Sequence, residues 1–127
     1  VVTPSAYVPV RRLSGGNVQK ILVGREIAAS PTVLMVAYPV RGLDINSSYM
    51  IYNLLNEQKE KGVAIIFVGE DLDVLIELCD RIIVIGNGTI LESGSHQELM
   101  AQNGEYNRMF TLQASSYKGE SEVSENV

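Results

Sequence analysis

Residues Leu13 to Asn17, Leu-Ser-Gly-Gly-Asn, combine a hydroxyl with two glycine amides just ahead of an apolar-periodic stretch. The first N–H groups of a helix lack intrahelical partners, and the helix dipole is positive there. Glycine lets the backbone approach an anion with no Cβ in the way. The chemistry on offer is therefore that of an anion site, open to a phosphate. Ser-Gly-Gly before a helix is equally an ordinary N-cap and turn, so the pentapeptide alone does not decide between the two.

Other reactive side chains point elsewhere. Asp71, Asp73, Glu77 and Asp80 follow one another at spacings that do not converge on one ion, and they read as a solvated helix face. His96 falls inside a Ser95–Glu98 capping box and reads as a surface helix residue. Tyr49, Tyr52 and Leu55 match helical spacing and read as core. Cys79 is the single cysteine, so no internal disulfide or cysteine metal cluster forms. Its apolar neighbours suggest a buried thiol, suited to a reducing compartment. No G-x-x-x-x-G-K-[ST] occurs anywhere, so the chain has no P-loop.

The elements that must position these residues are legible from patterning. Ser14 is the expected N-cap of a helix that ends at Ser30-Pro31. Val33 to Val36 reads as a buried strand closed by Pro39. Asp44 can cap a helix from Ile45 to Lys61, with Gly62 just past its end. Val63 to Val68 is a second buried strand, and a short helix with acids in its first turn follows. Ile82–Ile85 and Thr89–Leu91 form a hairpin across Asn87-Gly88. Ser95 to Gln113 is a last helix, and the Ser- and Glu-rich residues 114–127 read as a disordered tail. Strand, helix, strand, helix implies an α/β fold with a parallel sheet, thin for a free-standing domain.

Composition narrows the classes. The 127 residues, 46% hydrophobic, suffice for one compact domain and leave no room for a second. The net charge of −5 argues against nucleic acid as a partner. Residues 1–30 are nevertheless locally basic, with Arg11, Arg12, Lys20 and Arg25 against Glu26 alone. No apolar run approaches the ~20 residues of a membrane span. The opening VVTPSAYVPV has neither a basic start nor a continuous apolar core, so no signal peptide is read there. The chain begins with Val rather than Met, as a piece of a longer polypeptide would.

Three segments together carry a resemblance. RLSGGNVQK resembles the signature segment of the ATP-binding subunits of ABC transporters. VLMVAYPVRGLD resembles their Walker B strand and D-loop, and IIFVGEDLDVLIELCDRIIVIGNGTILESG resembles the switch strand and the hairpin after it. The resemblance runs from residue 8 to about 113. LSGGNVQK, GREI and PVRGLD look most like the importer ATPases for simple sugars and nucleosides, which hold two nucleotide-binding halves in one polypeptide. The closing ESGSHQELMAQNGEYNRMF is closer to exporter ATPases. In this family the P-loop lies well upstream of the signature. The resemblance therefore implies that residues 1–113 are the C-terminal part of a nucleotide-binding domain: a partial P-loop NTPase-type parallel sheet with flanking helices, a β-hairpin and a helix.

The same resemblance exposes what is missing. The family pattern ends its Walker B strand in Asp-Glu-Pro, the Asp holding magnesium through water and the Glu activating the attacking water. Ala37 and Tyr38 stand in those two places. Alanine offers no oxygen to a hard cation, and a phenol is a poor general base at neutral pH. Losing a general base alone typically costs ~10²–10⁴ in rate. The switch position, usually His, is Glu70, and a carboxylate repels a γ-phosphate where an imidazole would donate to it. No catalytic residue and no metal ligand are expected on this chain.

Two nucleotide-binding halves of this family sandwich ATP head to tail. The resemblance thus implies that Leu13, Ser14, Gly15, Gly16 and Asn17 bind nucleotide in trans, with Asp44 in the D-loop place. ATP and Mg would be held mainly by the partner half, and the isolated chain would be inactive. The implied partners are another nucleotide-binding half and transmembrane permease subunits, with the chain on the cytoplasmic face of the cell membrane. The alternative is a non-catalytic dimerisation and gating module of an ABC-type ATPase. A DNA-repair or chromosome-organising ATPase would want coiled-coil heptads or a basic groove, which the sequence lacks. A small α/β module of unrelated role would leave the three aligned segments unexplained.

Overall fold

The computed structural model describes the backbone of residues 1–124 and the side chains of residues 1–116. After a 3-10 turn at Val10–Arg12 come helix α1 (Gly15–Ala28), strand β1 (Val33–Ala37), helix α2 (Ile45–Glu60) and strand β2 (Ala64–Val68). Helix α3 (Leu72–Leu78), strands β3 (Ile82–Gly86) and β4 (Thr89–Gly94), and helices α4 (His96–Gln102) and α5 (Glu105–Ser124) follow. Strands β1 and β2 pair in parallel, Val33 opposite Ala64 and Ala37 opposite Val68. Strands β3 and β4 form an antiparallel hairpin with a register shift between Val84 and Ile85.

Local chemistry sets the element ends. Ser14 caps α1 by accepting from Asn17 N, and Asp44 caps α2 by accepting from Ser47 N. Gly62, at φ 86°, takes the chain out of α2 in the left-handed region. Asn87 and Gly88 sit at φ 51° and 75°, the paired positive angles that a type I′ turn demands of a two-residue hairpin. The Ser95–Glu98 capping box has both of its reciprocal bonds.

The chain divides into two compact units, Val1–Glu70 and the chain from Asp71 onward. The physical reason is that each two-stranded sheet gathers its own core. In the first unit Val23, Leu34, Ile51 and Leu55 are buried, with Val36, Ile65 and Phe67 packed around them. In the second, Leu72, Ile82, Val84, Leu99 and Tyr106 form the core, and Cys79 packs half-buried at its margin.

Neither strand of the parallel pair is buried on both faces, as their continuous apolar runs suggested. Leu34 is buried under the helices, whereas Met35 on the opposite face is 72% exposed, with Val33, Ile66 and Val68 also open. Helices α1 and α2 supply apolar cover to one face only, because alternate residues of a strand point to opposite sides. Tyr49 likewise stands exposed where helical spacing suggested core, and its ring meets Tyr52 edge-on at 6.3 Å.

The last helix is broken where a single helix was expected. Asn103 adopts φ 51° and Gly104 follows, which ends α4 before α5 begins. His96 is not a surface residue: it is half-buried, its Nδ1 lies 2.7 Å from the Tyr106 hydroxyl, and its ring packs on Phe110 at 5.0 Å. Helix α5 runs on to Ser124, past the Gln113 end expected from patterning. No proline interrupts it, and the Ser115 and Ser116 hydroxyls donate to the Leu112 carbonyl instead of competing for a turn. The rest of the expected tail, the side chains of 117–124 and residues 125–127, lies outside the described residues.

Glu92 of β4 closes the start of α5 by accepting from Tyr106 N at 2.8 Å. A Cβ on Gly104 would overlap that carboxylate. Gly104→Ala is therefore expected to destabilise the second unit by about 1–3 kcal/mol, read by urea unfolding. A neutral or stabilising change would contradict this contact.

Candidate functional site

The residues that could receive an anion gather at the start of α1. The Ser14 Oγ accepts from Asn17 N at 3.4 Å, which leaves its hydroxyl proton to donate elsewhere. Val18 N is the first amide bonded to the Ser14 carbonyl. Among the described residues, the Gly15 and Gly16 N–H groups have no acceptor. Gly15 is exposed, and a Cβ there would meet nothing within 4 Å. The turn thus presents a hydroxyl and two backbone donors at the positive end of a 14-residue helix. Leu13 is half-buried and does not add a polar group.

Asn17 is differently engaged. Its Oδ1 accepts from Val2 N and its Nδ2 donates to Val2 O, both at 2.9 Å. The carboxamide therefore clips the N-terminal segment to the turn with both of its polar ends. Arg11 and Arg12 of the 3-10 turn are exposed, and Arg25 pairs with Glu26. Surface pairs of this kind contribute little to stability.

The Asp44 turn lies against the same site. Gly16 approaches Ser47 so closely that a Cβ would sit 3.2 Å from Ser47 Oγ. Ser47 N donates to Asp44 Oδ1 at 3.0 Å, and this backbone bond foremost, with the Ser47 side chain next, holds the Asp44 carboxyl below the ordinary value of 3.8. A carboxyl depressed in the folded state stabilises the fold above that ordinary value, and the contribution is lost as pH falls through the lower folded value. Gln19 Nε2 donates to the Pro39 carbonyl at 2.9 Å, tying α1 to the loop that follows β1.

At the C-terminal end of β1, Ala37 pairs with Val68 and carries no polar side chain. Tyr38 N donates to Val68 O at 2.8 Å, and Tyr38 sits at φ 50°, a left-handed angle unusual for an aromatic residue. The Arg41 guanidinium lies over its ring at 5.7 Å. Glu70, just beyond β2, is exposed. The carboxylate and amide groups that would hold magnesium are not supplied at this strand end, since Ala37 and Tyr38 offer no carboxylate oxygen. The residues present do not fit a divalent cation. Among the described residues no three His, Cys, Asp or Glu side chains cluster to hold a metal. The acids Asp71 and Asp73 instead serve α3, where Asp71 accepts from Asp73 N.

An open groove of about 200 Å³ runs between α1 and β1, lined by Gln19, Leu22, Val23, Met35, Ala37 and Pro39 among others. It is mostly apolar and holds no group suited to a phosphate.

The structure thus brings Gly16 of the turn and Asp44 together through Ser47, and sets Ala37, Tyr38 and Glu70 at the ends of two paired strands. Sequence reasoning missed Val2, Gln19 and Ser47. Each acts across at least fifteen residues of chain or through a contact that no local motif encodes.

No protein-family model matches the chain. Relatives do. The guanosine import ATP-binding protein NupO of Bacillus subtilis is 41% identical over 102 residues, 80% of this chain and 20% of that protein. The ribose import ATP-binding protein RbsA of Bacillus subtilis is 40% identical over 112 residues, 88% of this chain and 22% of its own length. The chain is homologous to the ATP-binding proteins of ABC importers. The xylose import ATP-binding protein XylG of Moorella thermoacetica agrees, at 39% identity over 77% of this chain and 19% of that protein. The chain spans about a fifth of the length of the relatives it matches. A bacterial Atm1-family ABC exporter with ATP bound has the same α/β arrangement, with TM-score 0.71 and 26% identity over 81% of this chain and 18% of that one. No described helix is long and apolar enough to cross a membrane.

Proposed function

We propose that this chain is the C-terminal part of a nucleotide-binding half of an ABC importer for sugars or nucleosides, and that its signature turn completes an ATP site whose P-loop belongs to a partner half. The carrying observation is that the Gly15 and Gly16 amides have no acceptor among the described residues and stand beside the exposed Ser14 hydroxyl at the start of α1. Hydrogen-bond donors fixed before the reaction stabilise charge that develops on a transferring phosphoryl group. On this reading Ser14 and the two glycines donate to the terminal phosphate, while Leu13 and Asn17 shape the turn. Asn17 does so from within, through its clip on Val2. Asp44 orders the facing loop of the partner.

The chain's own half-site is inert on this account. Ala37 and Tyr38 replace the magnesium-holding and water-activating acids, and Glu70 opposes a phosphate at the switch position. ATP and Mg are held by the partner half. The full protein would couple ATP use to solute uptake through transmembrane permease subunits, from the inner face of the membrane. The same three replacements favour a second reading, in which the half gates and dimerises without touching the reacting phosphate.

The first test is ATP turnover by the purified chain. It is expected to stay at the uncatalysed background with Mg present. Hydrolysis by the chain unaided would overturn the assignment of an inert half-site.

A further inference from the structure

The two glycines of the turn are glycine for different reasons. Neither lies in the left-handed region, so backbone conformation requires neither. At Gly15 a Cβ would enter open space. At Gly16 it would lie 3.2 Å from Ser47 Oγ, 3.6 Å from Ser47 Cβ and 3.9 Å from Leu43 Cδ2. Ser47 cannot simply rotate aside. It is one of the buried polar residues described, 9% exposed, its N–H donates to Asp44 Oδ1 at 3.0 Å, and its side chain helps hold the Asp44 carboxyl below its ordinary value. Displacing the hydroxyl would leave a buried polar group short of its partner.

We propose that Ser47 is a positioning residue that locks the Gly15–Gly16 turn to the Asp44-capped start of α2, so that the two loops meet a phosphate as one rigid unit. This rests on the nucleotide contact proposed above. It assigns Gly15 to the ligand side of the turn and Gly16 to the packing side. Ser47 touches no ligand. It acts by fixing where the amides point, and misplacement of a positioned group by about 1 Å can cost a hundredfold in rate.

The test is a double-mutant cycle of Gly16→Ala and Ser47→Ala with two readouts. In the full chain, the Asp44 carboxyl is titrated by NMR. Gly16→Ala is expected to push the Ser47 hydroxyl off Asp44 and raise its titration toward the ordinary value. Ser47→Ala raises it as well, and the pair moves it no further than Ser47→Ala alone. Gly15→Ala leaves Asp44 unmoved. In the intact ATP-binding polypeptide, Gly16→Ala is expected to lower turnover by about a hundredfold at unchanged KM, Ser47→Ala alone to lower it as well by releasing the turn, and the double variant to fall no further than Gly16→Ala alone. Ser47→Thr keeps the hydroxyl and crowds Gly16 from the other side. It is expected to lower turnover with Gly16 intact, should Gly16→Ala fold poorly. Independent titration shifts would overturn the role of Ser47 whatever the turnover. Coupled shifts with turnover unchanged in every variant would overturn the proposal through its nucleotide contact instead. A Gly16→Ala defect beside a Ser47→Ala variant with parent turnover would mean that the phosphate, not Ser47, requires the bare glycine.

Discussion

Ser14→Arg in the intact ATP-binding polypeptide is expected to abolish most ATP turnover, by about 10²–10³-fold, the cost of removing a donor from a developing oxyanion. The serine supplies the hydroxyl of the turn, and its Oγ also caps α1 through Asn17 N. An arginine side chain fills the space in front of the Gly15 amide, which is open in the structure. Loss of the cap accounts for only about 1 kcal/mol of stability, too little to unfold a domain. Cooperative unfolding close to the parent midpoint would therefore accompany the loss of turnover. The measurement is steady-state ATP hydrolysis with unfolding followed in parallel. On the gating reading, in which the half never meets the reacting phosphate, hydrolysis is unchanged. That outcome would remove the trans contact.

Ile51→Ala is expected to cost the first unit about 2–5 kcal/mol. Ile51 is fully buried on α2, in one core with Val23 of α1 and Leu34 of β1. Truncation removes apolar contact and leaves a cavity beneath the side of the sheet that the helices cover. Small domains have only about 5–15 kcal/mol of stability to lose, so a midpoint fall on the order of 10 °C or more follows for a unit of this size. The opposite face of the sheet, with Val33, Met35, Ile66 and Val68 exposed, offers no reserve of burial. Thermal unfolding together with amide exchange in β1 and β2 checks the expectation. A cost under about 1 kcal/mol would mean that this core does not hold α1 and α2 together.

The helix starts around the candidate site were legible because their chemistry is local. Ser14, Asp44 and Ser95 announce helix starts through side-chain oxygens that reach amides two or three residues on, and each does so in the structure. Asn87-Gly88 announces its turn through the positive φ both residues tolerate. The contacts that tie those pieces together were not legible. Ser47 against Gly16, Asn17 on Val2 and Glu92 on Tyr106 N depend on where distant segments meet in space. Continuous apolar runs at β1 and β2 said that both faces were suited to burial, not that both were covered. His96 was misjudged because its partners, Tyr106 and Phe110, lie ten and fourteen residues on, beyond a helix break that Asn103 introduces.

The most direct measurement is the structure of the intact ATP-binding polypeptide trapped with ATP between its halves. Ser14 Oγ and the Gly15 amide are expected within hydrogen-bonding distance, about 3 Å, of the terminal phosphate of a nucleotide whose other phosphate oxygens are held by the opposite half. A closed, nucleotide-filled state with this turn facing solvent and no phosphate near it would contradict the account.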